Sequence, residues 1–442
     1  MRHSLTLGWA EMPLPNGVGL DLTGFLSRDN PSTGQRDPLF ARAVCLNDGA
    51  TKLVWVSVDV LALGQALVDR ARIEAASTFR LPPRAFCIAA THTHSAPAAI
   101  FLANCGVVDR EWVQGLEGAL LEVMGRAIRD ATRRVYLRFA RVDAPGFVYN
   151  RRTHRRDGSL VAGADHNGSL DPALSVVVAH EERTDRPCAA IVHYACHPVF
   201  FRDRLLSADW PGRMIDGVLR EMGPDFRCLF IQGAGADVNP LCPAESPEAN
   251  AARMGDGLAG AALELIADAQ RGTRLAPALN SRLRMVSLPW RGDVSEETLR
   301  GHLLSPAEWT RAERAEQAWH IWARRVLVAR SRGWWADGAR MPVQVFSLGE
   351  LAVVAFGAET FTQTNLDLQA AHQSRPLIVA SYANDAVGYL PPADEIPRGG
   401  YEVDAAYRYY GLPDRYASEA EALARQAVTD ILKVGTMGPR AR

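Results

Sequence analysis

The segment Cys87–Pro97, CIAATHTHSAP, closes a short apolar run with two histidines one residue apart, among hydroxyl side chains. Pro97 then stops any further strand. In extended backbone alternate residues project to one side, so His92 and His94 can serve one small volume. Apolar run, polar residue and tight loop recur at YACHP, which leaves His197 before Pro198, and at VVAFGAETF, which leaves Glu359 ahead of a helical pattern. Two histidines and a carboxylate are a common catalytic zinc set that keeps one position open for water or substrate. Such nitrogen and oxygen donors suit zinc, and residue type alone admits iron or manganese. No HExxH-type motif ties the donors together, and no GxSxG elbow marks a serine nucleophile.

Each of these residues also has a plainer role. A lone histidine after a strand is more often a hydrogen-bonded loop residue than a ligand. Glu359 suits the start of the helix that follows it. Asp209 in LLSADWPG reads first as a helix N-cap, with Pro211 in the first turn. Asp59, Gln232, Asp237 and Asn239 also stand at strand ends. What singles out the set is its repetition, because α/β proteins assemble their sites at strand ends.

The elements that must position these residues alternate along the chain. Buried-strand runs read at 53–60, 135–142, 174–180, 189–197, 227–233, 282–290, 342–348, 351–357 and 376–383, beside the one that ends in THTHS. Helical patterns fill 65–79, 110–134, 210–222, 247–271, 306–330, 360–374 and 416–434. The pattern predicts an α/β fold with a mixed β-sheet core and flanking helices. The chain is expected to be one domain over 1–442, with a helical insertion at about 291–340.

With 442 residues, 48% hydrophobic and 22% charged, the chain can bury a large core. A formal net charge of -1 gives no general attraction to nucleic acid or anionic membrane. Seven scattered cysteines, none in a CxxC pair, indicate neither a disulfide framework nor a cysteine zinc knuckle. The N-terminus lacks the apolar stretch of a signal peptide, which leads to the expectation of a cytoplasmic protein.

DLTGF, ARAVCL, VSVD, THTHSAP, YNR, YACHP, LLSADWPG, FIQGAGADVNP, GAETF and NDAVGYLPPADEIPRGGYE follow one another in this order. That order resembles the catalytic domain of the neutral ceramidases, zinc amidases that hydrolyse the N-acyl bond of ceramide. The resemblance spans about residue 7 to about residue 435, and THTHS with the late GY…GGYE pair is its most specific part. It implies Zn2+ held by His92, His197, Glu359 and Tyr389, with His94, Arg151 and Tyr401 as catalytic residues, and attack by zinc-bound hydroxide. By residue type, Arg151 and Tyr401 can donate to an oxyanion and His94 can carry a proton to the leaving group. Without the resemblance, Tyr389 would read as a loop anchor and NRRTHRRDG as a solvated basic turn, with nothing to choose Arg151 over Arg152.

The departures bear on substrate. No counterpart of the ceramidases' immunoglobulin-like C-terminal domain is expected, Asn239 replaces a serine of the family, and the residues after His197 read PVFF. The expectation is therefore a zinc hydrolase of an amide in a small or polar molecule. An ester or lactone hydrolase, a true ceramidase and a non-catalytic binding protein of the same fold stand as alternatives. In 306–330, arginine and glutamate fall on most turns and Trp309, Trp319 and Trp322 form no continuous apolar face, so no stable membrane association is expected.

Overall fold

The computed structural model describes residues 4–154, 160–165, 167–268, 272–292, 294–334 and 336–436. Its larger sheet has nine strands, eight of which form one path. That path runs Arg227–Gln232, Pro187–Tyr194, Ala173–Glu181, Arg133–Asp143, Leu5–Pro13, Phe40–Asn47, Lys52–Val58 and Phe86–Ala90. The second sheet has four strands in the order Leu279–Pro289, Gly338–Leu348, Leu351–Phe356 and Leu377–Ala380.

Alternation along the strands shows how the sheets stack. Val44, Leu46, Leu53, Trp55, Val177 and Ala179 share one core with Phe346, Leu348, Val353 and Ile378 of the smaller sheet. Their neighbours Ala43, Cys45, Val54 and Val56 face the helices Gln65–Phe79 and Arg110–Arg129, and Val176 and Val178 face Asp209–Met222 and Pro247–Ala267. On the far side, Val354 and Phe356 meet the helix Ala420–Thr436. The layers are thus helix, sheet, sheet, helix. Both faces of most strands are covered, which is why those strands read as continuous apolar runs.

Within these two sheets most pairs are antiparallel, but three are parallel: Lys52–Val58 with Phe86–Ala90, Pro187–Tyr194 with Arg227–Gln232, and Leu351–Phe356 with Leu377–Ala380. Their C-terminal ends are stitched together. Ser381 N–H donates to Gln232 O, Ala90 N–H to Tyr382 O and Ala236 N–H to Thr360 O. The predicted site residues His92, His197 and Glu359 follow these ends within a few residues.

Several boundaries differ from expectation. The helix expected over 306–330 is two, Pro306–Trp309 and Arg314–Ser331, because Glu313 starts a fresh capping box with Glu316. Asp209 is not the N-cap of its helix. Ala208 holds that place with Asp37 accepting its N–H at 2.6 Å, while the Asp209 carboxylate accepts from Phe200 N, Phe201 N and Trp210 N. The basic turn expected at NRRTHRRDG begins as a strand, Val148–His154, in which Arg152 is buried. Residues 155–159 of that stretch lie outside the described residues. All seven cysteines are free thiols. No helix among the described residues is long and apolar enough to cross a membrane.

Candidate metal centre and active site

His92 sits two residues past its strand with φ 68, a left-handed conformation uncommon outside glycine and characteristic of over-determined functional positions. The surroundings fix it. Its N–H donates to Val60 O, its ring stacks on Tyr382 at 3.8 Å between centroids, and its Nδ1 faces Leu61 O at 2.7 Å. His197 is held likewise, with N–H to Val238 O and Nδ1 against Gly235 O at 2.7 Å. His94 turns its Nδ1 to Gly24 O at 3.0 Å. Gly24 has φ +105, and a Cβ there would lie 2.5 Å from His94 Nδ1, so the DLTGF glycine is what lets that imidazole lie flat.

A ring nitrogen that faces a carbonyl must carry the proton, so all three imidazoles present an unprotonated Nε2 to one another. His92 Nε2 and His94 Nε2 are 3.4 Å apart, and ligand atoms of His92, His94 and His197 all lie within 4.8 Å. Glu359 Oε2 is 3.5 Å from Nε2 of both His92 and His197. Burial lowers the pKa of His92 and of His197 to about 3 and takes His94 well below the usual histidine value. Neutral imidazole lone pairs and a carboxylate converging without a proton between them are satisfied by a cation. This donor set therefore fits a divalent metal.

Glu359 and Tyr389 are direct register partners in a short parallel pair, Glu359–Thr360 with Tyr389–Leu390. Tyr389 reaches the cluster through Arg151, whose Nη2 donates to its hydroxyl oxygen at 3.0 Å. Burial raises the Tyr389 phenol well above the usual tyrosine range, although Arg151 opposes the shift. A phenolate there requires a further cation. Arg151 enters from the strand Val148–His154, which pairs with Val238–Pro240 so that Val238 faces Asn150. Its Nη1 lies 3.4 Å from His197 Nε2 and 3.4 Å from Asn239 Oδ1. Tyr401 stands at the rim, 46% exposed, its ring edge-on to Tyr389 at 5.7 Å between centroids. All seven sequence-predicted site residues thus gather around one volume.

Five further residues hold the set in place. Tyr382 donates to Glu359 Oε2 at 3.3 Å, and Tyr410 donates to Glu359 Oε1. Glu402 accepts from Arg151 Nε at 2.8 Å and also from Arg152, whose guanidinium is further clamped by Glu395 at 2.6 Å. Tyr382 stands at a strand end, so the rule that marked His92 would have found it. Glu402, beside Tyr401, and Tyr410 carried no comparable signal. Of the other strand-end polar residues, Asp59 is committed to Arg42 at 3.0 Å and Asp237 to Thr362 at 2.9 Å. Gln232 ties the two histidine-bearing loops by donating to Cys196 O and Thr91 O.

The four layers, with their polar residues gathered at the parallel strand ends, define the class: the chain has the neutral ceramidase fold. It superposes on the crystal structure of neutral ceramidase from Pseudomonas aeruginosa with a TM-score of 0.73 at 16% identity, covering 97% of this chain and 74% of that one. A ceramidase complexed with C2 gives a TM-score of 0.73 at 17% identity, with 96% and 74% covered. No family model and no curated protein matches the sequence.

Proposed function

We propose that this protein is a metal-dependent hydrolase of an amide (N-acyl) bond in a small or polar substrate. The observation that carries the reading is the convergence of three unprotonated Nε2 atoms and Glu359 Oε2 beside a guanidinium and two phenols. His92, His197, Glu359 and Tyr389 would hold the metal, and nitrogen and oxygen donors of this kind suit zinc. When bound, such an ion supplies Lewis acidity and lowers the pKa of a water molecule.

The chain's own residues supply the rest. Arg151 and Tyr401 face the same volume as donors for the carbonyl oxygen of a substrate as it gains charge. The Tyr401 hydroxyl makes no hydrogen bond to a described residue, which leaves it to the ligand. His94, neutral and held by Gly24 O, can take a proton at Nε2 and return it to the departing amine. Burial of the imidazoles keeps them neutral, so bulk protons do not compete with the metal at neutral pH. A screen of N-acyl amides, esters and lactones, read by release of amine or alcohol, tests the reading. Turnover of amides with no covalent acyl-enzyme is expected. Turnover of none of these bonds by the metal-loaded protein would remove it, and trapped acyl-enzyme would replace the mechanism.

A further inference from the structure

Two clefts open beside the candidate centre and run into each other. One, of about 790 Å³, is lined by Phe25, Phe101, Val107 and Ile321 among others. It adjoins the centre through Phe25, whose ring lies 4.9 Å from the His94 ring. The other, of about 670 Å³, shares Phe101 and Ile321 and continues past Val328 to Trp309 and Trp334. Of nine exposed large apolar side chains among the described residues, Phe101, Val107, Val328 and Trp334 line this groove. Apolar exposure concentrated in one place marks a surface that something covers.

The rim is cationic. Five arginines (28, 110, 314, 324 and 325) line the two clefts against one carboxylate, Asp21, in a chain whose net charge is -1. Arg28 spends its N–H groups on backbone carbonyls and on Ser95, and Arg314 is paired with Asp29. Arg324 and Arg325 make no ion pair with a described residue, and the Arg325 guanidinium lies 4.6 Å over the Phe101 ring. Both stand on the helix Arg314–Ser331 and line the second cleft, the one without Phe25.

We propose that the groove binds an apolar chain that ends in an anionic group held by Arg324 and Arg325. The substrate class is then an amide whose apolar arm carries an anion distal to the scissile bond. The substrate part rests on the hydrolase reading above, whereas the binding part does not. A guanidinium pair recognises carboxylate by charge-assisted hydrogen bonds, and an apolar floor desolvates the chain.

Two arms test it. In the first, metal-loaded protein is given p-nitroanilides of octanoic, suberic and 8-aminooctanoic acid, matched in length and ending in methyl, carboxylate and ammonium. The carboxylate-ended anilide is expected to have a kcat/KM about tenfold above the other two, as one charge-assisted contact allows. The preference should shrink at high salt and vanish in the Arg324→Ser/Arg325→Ser variant. Equal rates for all three anilides would overturn the substrate class. In the second, calorimetry compares decanoate with decylammonium on the His197→Ala protein, which lacks a metal ligand. Decanoate binding that weakens in the double arginine variant supports the groove even if no anilide is cleaved, in which case the hydrolase reading fails and this one stands. Equal binding of the two ions, or binding of neither, would overturn it.

Discussion

Glu402 is the residue on which the arginine side of the site depends, and Glu402→Gln isolates its charge without changing its shape. The carboxylate is 6% exposed and joins Arg151 to Arg152, both largely enclosed. Burial by itself raises its pKa, but the two guanidiniums outweigh burial and the net shift is downward. Removing one partner of a buried ion pair costs ~3–5 kcal/mol. Arg152 keeps Glu395 and Gly399 O, Arg151 keeps Tyr389 and Asn239, and a glutamine can still accept one bond. The loss should therefore sit near ~3 kcal/mol at neutral pH. A carboxyl with a lowered folded pKa contributes stability that is present above its unfolded value of ~4.3 and fades as pH falls through the folded value. Wild type and Glu402→Gln should thus differ most at about pH 7, with the gap narrowing as pH falls below ~4.3. Urea unfolding followed by tryptophan fluorescence across that range measures the gap. A gap under ~1 kcal/mol at neutral pH, or one that does not narrow with acid, would refute the reasoning.

Other outcomes follow from the same geometry. His94→Ala should keep its metal yet lose ~10²–10⁴-fold in turnover of a model amide, the usual share of general acid–base catalysis. Gly24→Ala, whose Cβ would meet the His94 ring, should copy that split between metal content and rate. Burial raises the Asp209 pKa to about 7 despite three N–H donors, so its ionisation opposes folding. The stability of wild type relative to Asp209→Asn should fall by up to ~4 kcal/mol as pH rises from ~4 through ~7, read from unfolding midpoints. Trp322 is fully buried, edge-on to Tyr407, with Nε1 donating to Leu412 O at 2.6 Å. Trp322→Ala should cost ~3–5 kcal/mol by the cavity and the orphaned carbonyl together, read by urea unfolding.

Much of this was legible before the structure because the residues that end core strands are also the ones that line the site. His92, His197 and Glu359 each follow an apolar run, and the fold brings those ends together as the run, loop and helix pattern implied. The stacking of two sheets was not legible. A run such as LVWVSV says that both faces are covered, without saying that Trp55 meets a second sheet and Val54 a helix. The first strand was missed although Leu5, Leu7 and Trp9 keep a period of two, because Gly8 and Ala10 blur the opposite face. Arg152 looked solvated in a run of arginines. Only the partners Glu395 and Glu402, more than two hundred residues away in the chain, make its burial tolerable. Trp319 and Trp322, three residues apart on one helix, share a face against His302 and Arg408, whereas Trp309 stands on the preceding short helix. Trp322 is buried, Trp309 lines the groove, and Trp319 lies edge-on to His302 with Arg408 above it.

The central claim is that the converging imidazoles and Glu359 hold a catalytic metal. Metal content by plasma mass spectrometry, measured beside amide hydrolysis on wild type, His92→Ala, His197→Ala and Glu359→Ala, tests it most directly. The account predicts about one divalent ion per wild-type chain, zinc by donor type. It also predicts loss of metal and activity together in the variants or after chelation, and recovery of wild type when the ion is restored. Amide hydrolysis that survives complete removal of the metal, or variants that keep both ion and rate, would contradict it.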